Sequence, residues 1–381
     1  MKRAWKNMGD LATFVNGYAF KPTDWSASGA PIIRIQNLTG SMSEVHYYAG
    51  GLDEKYRVHA GDILISWSAS IGVYEWKQTE GWLNQHIFKV VFDKERVNQN
   101  YFKYAAADAL KKAAGLVHGS TMKHLTKKVF DKIPVAFYDA AVQEKIVAVL
   151  QKIDGAISNR QHVLTLLDEL VRSRFVEMFG DTMNAPKYQF VALENVADII
   201  SGITKGRKTQ ETHFREVPYM SVANVKDGHI DWTNLKTIQA TETEIEKYHL
   251  NIGDILMTEG GDPDKLGRGA YLRKVPAGCI HQNHIFRVRL NQNMIIPEYM
   301  EIYLQMAKAK RYFLFSAKQT TGIASINMTQ LKALPVMLPT LNLQTQFAAF
   351  VHQVDATKSS VQSQLDSLMT LRAKMMQDFF G

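Results

Sequence analysis

VQEKIVAVLQKIDGAISNRQHVLTLLDELVRSRFVEMFG (Val142–Gly180) and LQTQFAAFVHQVDATKSSVQSQLDSLMTLRAKMMQDFFG (Leu343–Gly381) decide the architecture of this chain. From Gln143 to Gly180 the first stretch superposes on Gln344 to Gly381 without a gap, a constant shift of 201 residues, and both close on Phe-Gly. In the first, Ile146, Leu150, Ile153, Ile157, Arg160, Leu164, Leu167, Val171, Arg174 and Met178 alternate at spacings of four and three. In the second, Phe347, Val351, Val354, Lys358, Val361, Leu365, Leu368, Arg372, Met375 and Phe379 do the same. With eight of ten positions apolar in each copy, this is a coiled-coil seam rather than a broad amphipathic face. About 36 residues at 1.5 Å rise predict a rod of roughly 50–55 Å. A helix of that length must bury its seam. The economical partner is the other copy, and antiparallel pairing would place the globular parts at opposite ends of a pseudo-twofold molecule. The competing arrangement packs each helix on its own globular part.

Working outward, the remainder repeats only as a frame. GDILISWSAS (Gly61–Ser70) returns as GDILMTEGGD (Gly253–Asp262), and LNQHIFKV (Leu83–Val90) as HQNHIFRV (His281–Val288). Short runs bounded by Gly, Asp and Ser read as strands: APIIRIQNL (Ala30–Leu38), DILISWS (Asp62–Ser68) and HIFKVVF (His86–Phe92). Their counterparts are VPYMSVANV (Val217–Val225), DILMTE (Asp254–Glu259) and HIFRVRL (His284–Leu290). A helical patch follows each set, Tyr101–Ala114 and Pro297–Phe313, and then a Pro-Val pair, Pro134–Val135 and Pro335–Val336. The expected fold class is α+β (mixed α/β), with globular domains over 1–138 and 181–339 and helices over 139–180 and 340–381. A repeating unit this long is a duplicated domain, not a solenoid.

The chain of 381 residues has 46% apolar and 22% charged residues, ordinary for a soluble globular protein. A net charge of +8 leans toward an anionic partner such as nucleic acid. The single cysteine, Cys279, excludes an intrachain disulfide and a cysteine-rich zinc site, and reads as a small buried apolar residue. The first twenty residues lack the apolar core of a signal peptide, and no stretch reaches the roughly 18–20 apolar residues that cross a bilayer. A cytoplasmic protein without a membrane partner is expected.

A search for catalytic patterns fails. GITKGRKT (Gly202–Thr209) lacks the spacing and the Gly-Lys pair of a phosphate-gripping loop. GGDPDKLGRG (Gly260–Gly269) is glycine-rich, but no helix start clearly follows it. The Asn/Asp-Pro-Pro-aromatic motif of amino-methyltransferases is absent. HQNH (His281–His284) would send its histidines to opposite faces of a strand, and LDEK (Leu52–Lys55) lacks the further acid of a metal nuclease. No catalytic or metal-ligating residue is therefore expected.

What remains is a set of polar and basic loops at matching places. Copy one offers Lys21, Arg34, Gln36 and Asn37, then Ser66, Trp67, Ser68 and Ser70, then Asn84, Gln85 and His86. Its closing segment HGSTMKHLTKK (His118–Lys128) adds Ser120, Thr121, Lys123, His124, Lys127 and Lys128. Copy two offers Lys205, Arg207 and Lys208, Ser221 and Asn224, then Thr258, Glu259, Lys265 and Arg268, then Gln282, Asn283 and His284. Its closing segment KQTTGIASINM (Lys318–Met328) adds Lys318, Thr320, Thr321 and Asn327. Arg, Asn, Gln and His read base edges, while Lys, Ser and Thr grip phosphates. Each such residue alone is an ordinary loop or cap residue; the argument lies in their recurrence around a constant frame.

With both frames and both helices in place, the chain resembles the specificity subunit of type I DNA restriction–modification systems. The residues carrying the resemblance are GDIL at Gly61 and Gly253, LNQHIFKV and HQNHIFRV, GSTMKHLTKK (Gly119–Lys128), and the Pro-Val turns feeding helices that open at Gln143 and Gln344. The resemblance spans essentially the whole chain. It implies two target recognition domains, each reading half of a bipartite double-stranded DNA site, held apart by two antiparallel helices. It further implies no cofactor on this chain. S-adenosylmethionine would lie on modification (methylase) subunits, expected as two copies, and ATP and Mg would serve restriction subunits. Copy two departs from the pattern where TTGIASINM replaces HGSTMKHL, which puts a phosphate contact by Ile326 or Asn327 in doubt. Two competing readings are a protein-clamping scaffold whose basic loops are incidental and a stand-alone DNA-modifying enzyme.

Overall fold

The computed structural model describes residues 3–40, 45–68, 70–116, 127–208, 211, 213–261, 266–320 and 323–381. It divides into two compact units: Met1–Gln161 with Ser363–Gly381, and His162–Gln362. The long helices run Ala140–Phe179 and Leu341–Phe380, and the division falls inside both of them. Each unit therefore holds one globular part and a portion of each helix.

In the first unit an antiparallel sheet is ordered Thr13–Asn16, Ile87–Val91, Ile63–Ser66, Gly72–Glu75. A second sheet is ordered Tyr47–Tyr48, Ala30–Ile33, Gly81–Leu83, Arg57–Val58, with the central pair parallel. Ala4–Asn7 pairs with Pro134–Phe137. The second unit repeats this plan. Ala197–Ser201, Ile285–Leu290, Ile255–Thr258 and Gly269–Tyr271 form the antiparallel sheet. Lys236–Ala240, Arg215–Met220 and Ile280–His281 form the second, again with a parallel pair, and Phe190–Ala192 pairs with Pro335–Met337. A small extra sheet, Gly260–Gly261, Ile323–Ser325 and Lys318–Thr320, is added in this unit.

The recurrent GDIL is explained by a turn that feeds a buried strand. Gly61 and Gly253 have φ of 94° and 98°, a region that an L side chain enters only with strain. The following aspartates close the turn on the backbone, Asp62 accepting from His59 N at 2.8 Å and Asp254 from Asn251 N at 2.7 Å. Ile63, Leu64 and Ile65, and Ile255, Leu256 and Met257, are then buried. The helix-opening glutamines are structural as well. Gln143, 1% exposed, accepts from Asn98 N at 2.9 Å and donates to Tyr138 O at 2.8 Å. Gln344, fully buried, accepts from Ile296 N at 3.0 Å and donates to Met294 O at 3.0 Å and Pro339 O at 2.8 Å. Each amide ties the first turn of a long helix to the residue just before an earlier one, Gln99–Leu116 in the first unit and Pro297–Gln305 in the second.

Within each unit the two helix portions run antiparallel. In the first, Arg372 Nε donates to Asp154 at 2.5 Å and Arg160 Nε to Gln364 at 2.7 Å. In the second, Lys358 Nζ donates to Asp168 at 2.6 Å, and the rings of Phe175 and Phe347 lie 5.5 Å apart. Ile146, Leu150, Ile153, Val171, Phe347, Val351, Val354, Val361 and Leu365 are buried, and Ile157, Leu164, Leu167, Leu368 and Met375 half-buried. The basic residues on the expected seam thus meet acids and amides of the facing helix, apart from Arg174, which pairs with Glu177 of its own helix. At the helix ends the expected seam is displaced: Phe175, Phe179 and Phe380 are buried, whereas Arg174, Met178 and Phe379 are half-buried. A helix of 3.6 residues per turn drifts about 20° per heptad against a strict 3.5 repeat, so the inward face moves on by one residue.

Four local expectations are corrected. Ala30–Leu38 is a strand only to Ile33, and Ile35–Leu38 is a helical turn; Val217–Val225 likewise leaves the sheet at Met220 and turns through Val222–Asn224. The cause is an asparagine side chain competing for the backbone, as Asn37 Oδ1 accepts from Arg34 N at 2.9 Å and Asn224 Oδ1 from Ser221 N at 3.0 Å. The patch Pro297–Phe313 is two helices, Pro297–Gln305 and Ala307–Ser316, broken at Met306, which is buried. Thr182 Oγ1 accepts from the freed Lys308 N–H at 3.4 Å. HQNH is not a strand: His281 ends one, fully buried, and His284 lies in the next turn, exposed.

Candidate nucleic-acid interface

The loops that leave the two sheets gather at one end of each unit because a single turn ties them together. In the first unit Tyr18 O accepts from Gln85 N at 2.8 Å, Ile33 O from Asn84 N at 3.3 Å, and His86 O from Trp67 N at 3.2 Å. In the second, Ile203 O accepts from Asn283 N at 3.0 Å, Met220 O from Gln282 N at 3.0 Å, and His284 O from Glu259 N at 3.0 Å. Two glycines allow this crossing. A Cβ on Gly17 would lie 2.0 Å from Asn84 O, and one on Gly202 would lie 1.9 Å from His281 O. Neither glycine stood out in the sequence, because a close approach of two backbones leaves no local signature. His86 has φ of 73°, alone among the described non-glycine residues in the left-handed region. Strain of that kind persists where surrounding contacts over-determine a turn.

On this shared scaffold the two units present unlike chemistry. Trp67 lies beside His86, ring centroids 4.9 Å apart, and its Nε1 donates to Asn16 Oδ1 at 3.2 Å. At the matching position Glu259 Oε2 meets His284 Nδ1 at 2.6 Å. Val222, Glu259, Gly260, His284 and Ser325 line an open hollow of about 310 Å³. In the first unit Arg34 stacks its guanidinium 4.9 Å from the Trp25 ring, which lies 3.7 Å from the ring of His46. Arg34 Nε has no hydrogen-bond partner among the described residues. Trp25 and His46 were missed because the stack of Arg34, Trp25 and His46 joins residues far apart in sequence, which no local pattern reports.

Several expected contact residues are committed to the fold. Asn37 and Asn224 are buried and hold their helical turns. Ser66 is buried and donates to Ser70 O; Ser68 and Thr258 are buried too. Arg207 forks onto Glu244 and donates to Gln239 O. The pairing holds the Arg207 guanidinium above and the Glu244 carboxyl below their usual ranges, their mutual side-chain hydrogen bond being the main cause. Ser221 Oγ donates to Asn224, and Gln282 Oε1 accepts from Val222 N. Asn327 caps the helix Met328–Lys332, accepting from Gln330 N at 2.9 Å, and Ile326 is fully buried. Neither is placed as a phosphate contact. Lys127 pairs with Asp131 at 2.8 Å.

Lys21, Ser70, Lys128, Lys205, Lys208 and His284 are exposed, and Arg34, Gln36, Trp67, Gln85, His86, Arg268 and Asn283 half-buried. Arg268 Nε has no hydrogen-bond partner among the described residues. Lys318 and Thr320 lie in a strand of the small sheet. Ser120, Thr121, Lys123, His124, Lys265 and Thr321 lie outside the described residues. Among the described residues no group of three or more His, Cys, Asp or Glu side chains is placed to hold a metal ion. Among them, too, no helix is long and apolar enough to cross a membrane.

Comparison with known chains identifies the class of protein to which this doubled arrangement belongs. The chain belongs to the family described as the type I restriction modification DNA specificity domain, whose model matches residues 3–166 and 186–368. It is 21% identical over 392 residues to the type I restriction enzyme EcoBI specificity subunit of Escherichia coli, covering 95% of this chain and 81% of that protein. It is 30% identical over 190 residues to the putative type I restriction enzyme MjaX specificity subunit of Methanocaldococcus jannaschii, covering 49% of this chain and 44% of that protein. Among solved structures, the type I restriction–modification S subunit from M. genitalium aligns with a TM-score of 0.54 at 14% identity, covering 100% of this chain and 96% of that one. A chain from work on complex assembly and conformational transition of the type I system aligns with a TM-score of 0.59 at 13% identity, covering 98% and 96%. At these identities the likeness is one of fold.

Proposed function

We propose that this chain reads DNA without doing chemistry on it, as the specificity subunit of a type I modification or restriction complex. Its target recognition domains, 1–138 and 181–339, each read one half of a bipartite duplex site. The observation that carries this reading is the constant scaffold bearing different groups at equal points: a tryptophan beside His86, a carboxylate beside His284. A duplicated reader of two unlike half-sites needs both properties. The exposed lysines Lys21, Lys205 and Lys208, which follow within a few residues of Tyr18 and Ile203 on the gathering turn, are suited to phosphates, which position the protein, while base edges specify the sequence. The helices over 139–180 and 340–381 set the spacer and offer docking surfaces for two modification subunits. S-adenosylmethionine belongs to those subunits, ATP and Mg to restriction subunits, and the complex works in the cytoplasm.

Mapping methylated adenines in DNA treated with the chain and its modification subunits tests this. The expected product is one motif of two defined halves around an undefined gap. Substitutions at Gln85 or His86 should alter only one half. Equal binding of the complex to all duplexes would overturn the reading.

A further inference from the structure

We propose that Glu259 is a base-reading acceptor of the second domain, and that the base it reads presents an exocyclic amino group in the major groove, as adenine and cytosine do. This rests on the DNA-reading function above and assigns a specificity determinant within it. Glu259 is held unusually well for a loop residue. Its N–H donates to His284 O at 3.0 Å, its carbonyl accepts from Ile326 N at 2.8 Å, and the next residue, Gly260, pairs with Ser325 across the small sheet. Both adjoining peptide groups are thereby fixed, so the carboxylate is positioned before any ligand arrives. One oxygen faces His284 Nδ1 at 2.6 Å. The side chains of Glu259 and His284 are 37% and 58% exposed and open onto the hollow of about 310 Å³.

The charge decides what this group is suited to contact. A carboxylate on a face that meets a polyanion repels phosphates, so it cannot serve as one of the backbone contacts that dominate affinity. Ionised, it has only acceptors. In the major groove adenine N6 and cytosine N4 are donors, whereas guanine presents N7 and O6 and thymine O4, all acceptors. Glu259 therefore favours an amino base and repels a keto base. His284 holds the carboxylate at one oxygen and leaves the other for the base. At the same scaffold point in the first domain, Trp67 carries no acceptor, so the two half-sites are read there by different chemistry.

The test uses the chain assembled with its modification subunits, the mapped bipartite site, and a series of duplexes. In each, one adenine of the second half-site is replaced by purine, or one cytosine by a pyrimidinone lacking the amino group. For the unaltered protein, one replacement should weaken binding on the order of 10- to 100-fold, the discrimination carried by a good base contact. Which replacement does so separates adenine from cytosine. In Glu259→Ala that replacement should cost nothing further. Glu259→Gln, which keeps the shape and gains a donor, should admit guanine or thymine at that position in methylation mapping, with the first half-site unchanged. Equal losses in the unaltered and Glu259→Ala proteins at every position, or an unchanged second half-site in both variants, would overturn the assignment. Failure of the unaltered complex to distinguish any sequence would instead overturn the DNA-reading function itself.

Discussion

Replacing Gln344 by Ala should loosen the second unit selectively. The side chain is fully buried and its amide makes three hydrogen bonds: one accepted from Ile296 N, two donated to Met294 O and Pro339 O. Truncation leaves an unmatched buried N–H and two poorer carbonyls. An orphaned buried donor costs about 1–3 kcal/mol, and each net neutral hydrogen bond is worth about 1 kcal/mol. The expected loss is about 3–4 kcal/mol. For a unit of this size about 1 kcal/mol moves the melting temperature by about 2–4 °C, so its transition should fall by about 6–16 °C. Gln143→Ala removes two hydrogen bonds from the first unit and should cost about 1 kcal/mol less. Gln344→Glu is the sharper variant, because it sets a carboxylate against two carbonyl oxygens. It should be worse than Ala at pH 7 and partly recover on acidification, when the protonated acid can again donate. Calorimetry with urea melts resolved by unit would measure these losses. A loss below about 1 kcal/mol for Gln344→Ala, or Gln344→Glu no worse than Ala at pH 7, would refute the reasoning.

Burial of His281 pushes its pKa down from 6.5 to about 4. The unfolded chain then takes up the proton first, so the stability tied to neutral His281 is complete above about pH 6.5 and is lost as pH falls toward 4. The loss amounts to about 3 kcal/mol, and His281→Gln should flatten that part of the stability curve; an unchanged slope would count against it. Phe175 is fully buried with its ring 4.9 Å from Phe179 and 5.3 Å from Tyr299, so Phe175→Ala should cost about 3–5 kcal/mol in thermal or urea unfolding. Arg372→Gln, by contrast, breaks a partly exposed ion pair with Asp154 and should cost under about 1 kcal/mol in the same assay. Binding of the assembled complex to its site should weaken steeply with salt, and Lys205→Ala with Lys208→Ala should lower the slope of log K against log salt by about one for each phosphate no longer neutralised. A slope unchanged by both substitutions would remove these lysines from the interface.

The helical seam and the GDIL frame were legible from residue order because both are set by neighbours along the chain. Repeating apolar positions declare a buried face, and glycine followed by aspartate declares a turn. The duplication was visible for the same reason, since residues 143–180 match 344–381 without a gap. The candidate site was legible only in outline. Asn37, Asn224, Ser66 and Thr258 have the composition of DNA contacts, yet packing consumes or buries them. Composition records what a side chain can donate or accept; only the fold decides which partner is already there.

Sequence alone determined that this chain is a doubled unit of sheet domain and long helix, and which family's frame it carries. Residue order already matches Trp67 with Glu259; tertiary structure alone decided that each lies beside a histidine of the gathering turn. That placement arises from hydrogen bonds between strands far apart in the chain, to which Gly17 and Gly202 give access by lacking a side chain. Periodicity and spacing report contacts within a few residues. The positions that distinguish one reader from the other are set by contacts across the sheet, where residue order carries no such signal.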